Sequence, residues 1–191
     1  MISDSELIKG CLEGKQEVQK LFYQKYASTM LGICLRYFQT REEAEDALQE
    51  GFIRVFTNLV SFRNEGSLEG WIKRIMVNTS LNLVRNQMKH QFHMDLDEAE
   101  NDLSEDEVIT GNISRDEMLR LLQELPNGYR MVFNLYEVEG YSHKEIAEAL
   151  NVTVSTSKTQ LLKARKLLQK KLNHLNQEAV TAPVQKNKND E

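Results

Sequence analysis

Large apolar residues recur every three or four positions through most of the first 90 residues, and again from residue 114 to residue 172. This spacing places them on one face of an α-helix, whereas a half-buried β-strand would show strict alternation, which no segment does. The pattern therefore predicts an all-α protein. The first three helices are lined by Leu7, Ile8, Cys11 and Leu12, then by Val18, Leu21, Phe22, Tyr26, Met30, Ile33 and Leu35, and then by Ala44, Ala47, Leu48, Phe52, Val55, Phe56 and Leu59.

Capping-box sequences indicate where three of the helices begin. A Ser or Thr followed three residues later by Glu satisfies the free N–H groups of a helix start. Such pairs occur at Thr40 and Glu43, at Ser114 and Glu117, and at Ser142 and Glu145. Between them, the glycines and the asparagine of Ser61–Gly70 predict a loop. A further helix then runs from about Leu68 or Trp71 to about Lys89.

An acidic stretch divides the chain into two parts. Residues 91–113 are acidic, aperiodic and poor in large apolar groups, which predicts a flexible linker. The expected architecture is therefore two small helical domains, residues 1–90 and 114–173, joined by this linker. The polar residues 174–191 predict a disordered tail.

Residues 142–165 predict a helix-turn-helix motif. Ile146, Ala147 and Leu150 line its first helix, and Asn151 to Thr153 break the helical register, with Thr153 placed to cap the second helix. The second helix presents small polar and basic groups on one face, which is the chemistry that meets base edges and phosphates in a DNA major groove. This face consists of Ser155, Lys158, Thr159, Leu162, Lys163 and Lys166. The alternative interpretation is an ordinary amphipathic helix with solvated lysines.

The distribution of charge changes what the net charge of −5 implies. A negative chain is a poor partner for DNA as a whole. Residues 71–90, however, contain only cations among their charged residues, as do residues 151–172, while the acids gather at 42–50 and 95–116. The two basic segments predict two contacts with nucleic acid, and the acidic helix face predicts a cation-rich partner.

Other features exclude several classes of protein. Cys11 and Cys34 are isolated, as is typical of a reducing compartment, and no apolar run reaches the roughly 20 residues of a membrane span. We therefore expect a cytoplasmic, nucleoid-associated protein with no secretory signal and no direct membrane insertion. His90 and His93 form too weak a pattern for a metal site, and no catalytic motif occurs. The sequence predicts no enzyme activity, small-molecule substrate, cofactor or metal.

Taken together, the segments resemble the bacterial RNA polymerase sigma factors of the sigma-70 family, extracytoplasmic-function group, over residues 5–172. Residues 45–56 are similar to that group's polymerase-binding helix and residues 67–85 to its promoter-melting helix. Leu125-Pro126, residues 139–150 and residues 163–165 are similar to its second domain. The resemblance implies a transcription initiation factor that binds core RNA polymerase, recognises the −10 and −35 promoter elements and helps melt the DNA. It also implies an anti-sigma factor as a further partner.

The resemblance assigns roles to three sets of residues. The docking set, which matches positions that contact core polymerase, is Asp46, Gln49 and Glu50. The −10 set, in which Asn78 matches the position that recognises a −10 base, is Phe62, Asn64, Lys73, Arg74, Asn78, Asn82 and Arg85. The −35 set is the helix-turn-helix face already described, Ser155, Lys158, Thr159, Leu162, Lys163 and Lys166. Ser155 and Gln160 depart from the glycine and the basic residue common in the family, which affects the promoter sequence expected rather than the function.

Alternatives remain open at several points. Taken without the rest of the chain, the acidic face at residues 42–50 is interpreted as a solvated helix face. Phe62 either stacks on a flipped base or closes the bundle. The acidic linker resembles a segment that enters the polymerase RNA channel, and the alternative is a solvated tether. For the whole chain, the rival is a dimeric helix-turn-helix regulator with an N-terminal helical sensor domain. Such a regulator requires neither the docking set nor Asn78. A helical protein-binding adaptor would leave both basic segments unexplained.

Overall fold

The structure is a computed structural model that describes residues 2–88 and 113–181, with side chains described for residues 2–87 and 113–175. Both ranges are helical and contain no strand, as the periodicity predicts. The helices are α1 (Asp4–Leu12), α2 (Gln16–Cys34), α3 (Arg41–Asn58), α4 (Leu68–Met88), α5 (Arg115–Gln123), α6 (Asn127–Phe133), α7 (His143–Leu150) and α8 (Val154–Thr181). A 3-10 turn, Leu59–Ser61, extends α3, and a π-helical turn, Asn134–Val138, continues α6.

The capping boxes predicted from the sequence are all formed. At the start of α7, the Glu145 N–H donates to Ser142 Oγ at 3.3 Å and the Ser142 N–H donates to Glu145 Oε2 at 2.8 Å. The boxes that begin α3 and α5 have the same two-way arrangement, and a fourth box, which we did not predict, begins α1. Thr153 caps α8 as expected, since the Thr156 N–H donates to Thr153 Oγ1 at 3.0 Å.

Helices α1 to α4 form an N-terminal bundle around large apolar side chains. Phe22 and Met30 of α2 are buried with Val55 of α3 and Ile72 of α4. Of the residues predicted to line these helices, Leu12 and Leu21 are exposed. Leu21 directly precedes Phe22, and successive residues of a helix point about 100° apart, so only one of the two can face the core.

Close packing between α3 and α4 depends on Gly51. A Cβ at this position would overlap the sulfur of Met76, a fully buried residue of α4. The absence of a side chain lets the two helix backbones approach each other at this point.

Helices α5 to α8 form a smaller C-terminal domain. A second apolar cluster of the molecule joins α5, and Leu125 just after it, to α8. The buried members of this cluster are Leu121, Leu122, Leu125, Ala164, Leu168 and Leu172. This stripe continues along α8, and the helix extends to Thr181, beyond the domain end predicted at residue 173. Residues 182–191 of the predicted tail, and all but Ile113 of the linker predicted at 91–113, lie outside the described residues.

The two domains lie against each other. The main apolar cluster contains most of the buried residues of α1 to α4 and also six from the C-terminal domain, Met131, Val132, Leu135, Ile146, Leu150 and Leu161. The contact is made where α4 meets α6 and α7. Residue periodicity predicted both sets of helices but not this arrangement, because periodicity shows which face is buried and not what buries it.

Candidate nucleic-acid and protein interfaces

The helix-turn-helix is formed as predicted, with a left-handed residue at its turn. Asn151 follows α7 with φ 56° and ψ 47°, a conformation that Asn tolerates better than most residues with a side chain. The Val152 N–H donates to the Ala147 carbonyl at 3.0 Å and so closes the end of α7. This tight turn fixes the direction in which α8 leaves α7.

The predicted −35 set lies on the outer side of α8. Ser155, Lys158, Thr159 and Lys166 are exposed, whereas Leu162 and Lys163 are half-buried. The opposite side of α8 carries the buried leucines. The face is therefore accessible and basic, which is the arrangement that a recognition helix requires.

Gln160 lies outside this face. Its Nε2 would be 2.9 Å from a Cβ on Gly128, so its side chain packs across α6 at the point where α6 has no side chain. Its Oε1 is buried. Gln160 therefore contributes to the contact between α6 and α8, and it lies off the exposed face that carries the predicted −35 set.

A polar contact that sequence periodicity did not indicate anchors α8 to α7. His143 Nδ1 lies 2.9 Å from Oγ of Ser157, and Ser157 is fully buried. The His143 ring stacks on Tyr136, with 4.6 Å between the ring centroids. Burial, together with the positive charges of Lys158 and Arg165, holds the pKa of His143 below its ordinary value. The imidazole is therefore neutral at neutral pH and serves as a fixed hydrogen-bonding group between the two helices.

Four members of the −10 set form a row along α4. Arg74, Asn78, Asn82 and Arg85 are separated by three or four residues and therefore share one helix face. Arg74, Asn78 and Arg85 are exposed, and the Arg85 Nη2 donates to Asn82 Oδ1 at 3.3 Å. We call these four residues the α4 row.

Lys73 is placed differently from the α4 row. Its Nζ lies 2.9 Å from Oε2 of Glu139 in the C-terminal domain. The other Glu139 oxygen, Oε1, accepts a hydrogen bond from Arg36 Nη2 at 2.8 Å. Only 7% of the Glu139 side chain is exposed, whereas 41% of the Lys73 side chain is. A cation that the resemblance assigns to DNA is therefore paired with a carboxylate of the chain itself.

The loop before α4 contains the remaining two members of the −10 set. The Phe62 ring lies 5.5 Å from that of Trp71, and both rings are half-buried against the bundle. This contact favours the interpretation that Phe62 closes the bundle. Asn64 is exposed and has a positive φ of 61°, so the loop turns sharply at this residue.

The docking set lies on the outer face of α3. Asp46 and Gln49 are exposed, and half-buried Glu50 accepts a hydrogen bond from Arg54 Nε at 2.9 Å. Ile53 lies one turn further along the same face, with 62% of the residue exposed. Ile53 was not among the predicted docking residues, although its spacing from Gln49 and Glu50 places it on their face.

Residues 2–88 and 113–181 contain neither a candidate metal site nor a helix that could cross a membrane. No group of His, Cys, Asp and Glu in these ranges is arranged to hold a metal ion. None of their helices is long and apolar enough to cross a membrane. His90 and His93 lie outside the described residues.

The comparisons with known proteins divide the chain at the same place as the fold. Residues 22–90, which include most of α2 and all of α3 and α4, match the family described as Sigma-70 region 2. Residues 115–168, from α5 into α8, match the family described as Sigma-70, region 4. The two matches fall on the N-terminal bundle and on the C-terminal domain.

Relatives match over nearly the whole chain. The ECF RNA polymerase sigma-E factor of Haemophilus influenzae is 27% identical over 186 residues, covering 91% of this chain and 97% of the relative. The RNA polymerase sigma-H factor of Pseudomonas aeruginosa is 28% identical over 187 residues, covering 92% and 97%. Among solved structures, the sigma factor RpoE of Bartonella quintana, in complex with the anti-sigma factor NepR, is 18% identical with a TM-score of 0.48, covering 82% of this chain and 97% of that one. On its sequence matches, the chain belongs to the sigma-70 family of RNA polymerase sigma factors, in the extracytoplasmic-function group.

Proposed function

We propose that this sigma factor docks on core RNA polymerase through α3, places α8 in the major groove of a −35 element and holds an unpaired −10 strand along α4. The observation that supports the proposal is that one chain has two separate accessible faces that carry cations and hydrogen-bonding groups, the α4 row and the −35 set. A regulator that binds duplex DNA only through its helix-turn-helix would need just the second face.

The α4 row has the chemistry and the length to follow a single strand. Its arginines can contact phosphates, and the amides of Asn78 and Asn82 can donate to and accept from base edges. From Arg74 to Arg85 the helix rises about 16 Å, which corresponds to roughly five nucleotides that keep the stacked spacing of 3.4 Å. A row of this length fits a short promoter element.

The −35 set suits duplex DNA instead. Its three lysines, Lys158, Lys163 and Lys166, supply phosphate contacts, and the hydroxyls of Ser155 and Thr159 can reach base edges near the start of α8. The neutral His143–Ser157 contact and the turn at Asn151 hold α8 in a fixed direction. The position of the recognition helix is therefore set before DNA binds.

The docking set supports attachment to a basic surface. Asp46 and Glu50 present carboxylates on one face of α3, and such groups bind arginines strongly when water is excluded. Exposed Ile53 can supply the apolar contact that excludes water from these ion pairs. We propose that core RNA polymerase covers this face and that an anti-sigma factor competes for one of the three faces. We further propose that the chain catalyses no reaction itself and acts in the cytoplasm, at the nucleoid.

The test is reconstitution with purified core polymerase. The chain is mixed with bacterial core RNA polymerase, the complex is isolated by gel filtration, and transcripts made from fragmented genomic DNA of the source bacterium are mapped at their 5′ ends. We expect a stable complex that initiates at a defined set of sites. Tight binding of the chain alone to duplex DNA, without a polymerase complex, would favour the dimeric regulator.

A charge-reversal pair makes the test specific for α3. Asp46→Lys combined with Glu50→Lys should abolish or strongly weaken the polymerase complex, because it places cations against a basic partner. The matched control is Glu13→Lys combined with Glu17→Lys, which makes the same change in charge at two exposed positions outside the docking set. Equal polymerase affinity in the two variants would remove α3 as the docking face.

A further inference from the structure

A cleft of about 400 Å³ lies between α2, α4 and α5, where the N-terminal bundle meets the C-terminal domain. Its volume is in the range of small-molecule sites, which commonly lie between domains. One part of the lining is apolar and consists of Met30, Ile33, Met118, Leu119 and Leu122. A second part is charged and consists of Arg36, Glu69, Lys73 and Arg115. The cleft therefore offers a ligand both an apolar surface and charged groups.

The charges around the cleft do not cancel. Arg36 and Lys73 share one carboxylate, that of Glu139, at 2.8 Å and 2.9 Å. Glu69 adds a second carboxylate to the lining. Three cations therefore face two carboxylates, and the remaining positive charge belongs to Arg115. This balance favours an anion as the ligand.

Arg115 is a cation that the described parts of the chain do not pair. It is exposed at the first position of α5, and within residues 2–87 and 113–175 its guanidinium has no hydrogen-bond or ion-pair partner. Its Nη2 would lie 3.4 Å from a Cβ on Gly32, so the guanidinium reaches α2 at a point where that helix has no side chain. Its N–H donors are therefore available to a ligand in the cleft.

The lining determines which two parts a ligand needs. A guanidinium binds a carboxylate or a phosphate through parallel N–H bonds. Half-buried Met118 and Leu119 follow Arg115 by three and four residues and so lie on the same face of α5. An inorganic anion would leave these two side chains in water, and an uncharged hydrocarbon would leave Arg115 unpaired. A ligand that satisfies both groups is an anion with an apolar body.

We propose that this cleft binds a small amphiphilic anion, whose carboxylate or phosphate head pairs with Arg115 and whose apolar body covers Met118 and Leu119. The inference does not depend on the proposed function, because the α4 row, the docking set and the −35 set contribute no residue to the lining. A ligand that binds only the folded chain should also raise the melting temperature.

The first test measures the binding of four compounds to the full chain by isothermal titration calorimetry. Octanoate and octyl phosphate have both parts of the proposed ligand and differ in the head group. Octanol lacks the charge, and inorganic phosphate lacks the apolar body. We expect one octanoate or octyl phosphate to bind per chain, about tenfold more tightly than octanol or inorganic phosphate, because a charge-assisted hydrogen bond contributes roughly this factor. Failure of both octyl anions to bind, or equally tight binding of octanol, would overturn the proposal.

A matched pair of variants locates the head group. Arg115→Gln removes the proposed contact, and Arg120→Gln makes the same change in charge at an exposed position of α5 outside the lining. Arg115→Gln should weaken the binding of the octyl anion about tenfold and leave that of octanol unchanged, whereas Arg120→Gln should bind both as the wild type does. Equal affinity of the two variants for the octyl anion would reject Arg115 as its partner and overturn the proposal.

A third variant tests the position of the ligand without a change in charge. Gly32→Leu introduces a side chain into the cleft beside Arg115, and α2 should stay folded because leucine is favourable inside a helix. Filling the cleft should weaken binding of the octyl anion by about tenfold or more. Wild-type affinity in Gly32→Leu would place the anion elsewhere on the molecule and overturn the proposal. Circular dichroism checks the fold of each variant.

Discussion

The two long helices that carry the proposed DNA faces, α4 and α8, are held in place by different chemistry. Helix α4 is packed into its bundle mainly by apolar side chains such as Ile72 and Met76, beside two buried hydroxyls, Thr79 and Ser80, and no buried charge. Helix α8 belongs to a smaller domain, in which a buried hydroxyl at Ser157 and a buried guanidinium at Arg130 help to hold neighbouring helices together. The comparison shows that a small domain short of apolar area uses buried polar groups to fix a helix in one orientation.

The largest expected effect follows from removing the buried guanidinium. Arg130 is only 1% exposed, and burial lowers its pKa to about 10, so it remains charged at neutral pH. Arg130→Met leaves the carbonyls of Gln123 and Leu125 without their donor and should lower the free energy of unfolding by about 2–4 kcal/mol. Thermal and urea unfolding followed by circular dichroism measure the loss.

The control for this prediction is Arg120→Met, at an exposed position on α5. It should change the free energy of unfolding by no more than about 0.5 kcal/mol. If the two substitutions lower the free energy of unfolding equally, buried polar groups do not hold the C-terminal domain together. The contrast between the two domains would then fail.

Next in size is the loss of an amide from the α4 row. Asn78 is exposed, so Asn78→Ala should leave stability unchanged while slowing open-complex formation about tenfold and relaxing the preference at one −10 base. Permanganate footprinting of melted DNA and transcription from variant promoters measure both effects. Gln24→Ala, at an exposed position on α2, is the control, and unchanged promoter choice in Asn78→Ala would remove Asn78 from base recognition.

A smaller effect should follow on α8, where one lysine is one charge among several. Lys158→Ala should reduce the slope of log affinity against log salt concentration by about one unit if its ammonium meets a phosphate. The measurement is binding of the polymerase complex to promoter DNA over a range of salt, with Lys20→Ala on α2 as the control. A wild-type slope in Lys158→Ala would mean that α8 contacts phosphates through other lysines.

The smallest expected effect is a dependence of stability on pH that belongs to the C-terminal domain alone. Since the folded-state pKa of His143 is below the ordinary value of 6.5, the unfolded chain takes up this proton first as the pH falls. The contribution of neutral His143 to the free energy of unfolding is therefore complete above pH 6.5, and it is lost as the pH falls through 6.5 toward the folded-state pKa. His143→Gln should flatten the decline in melting temperature over this interval, and an unchanged decline would assign it to other groups.

Local chemistry made most of the fold predictable. Thr40, Ser114 and Ser142 each mark a helix start through a partner three residues away, and apolar spacing identifies the buried faces of α2, α3 and α7. The spacing of the α4 row and the −35 set was visible for the same reason. These features depend on residues within one or two helical turns of each other.

The remaining features depend on residues that are distant in sequence. Gln160 and Ser157 are polar residues on a helix rich in solvated polar residues, yet Gln160 packs over Gly128 and Ser157 is buried beside His143. Glu139 meets Lys73 across the domain contact. No local pattern specifies such pairings. Each pairing depends on which two helix faces the tertiary structure brings into contact.

The contact between Gly51 and Met76 has a mechanical consequence. Helix α3 bears the docking set, helix α4 bears the α4 row, and at this crossing the backbone of one helix rests on a fully buried side chain of the other. Close-packed interiors are nearly incompressible. The two helices therefore move as one rigid unit. In the proposed function, a partner bound to α3 would thus also set the position of the DNA strand bound along α4.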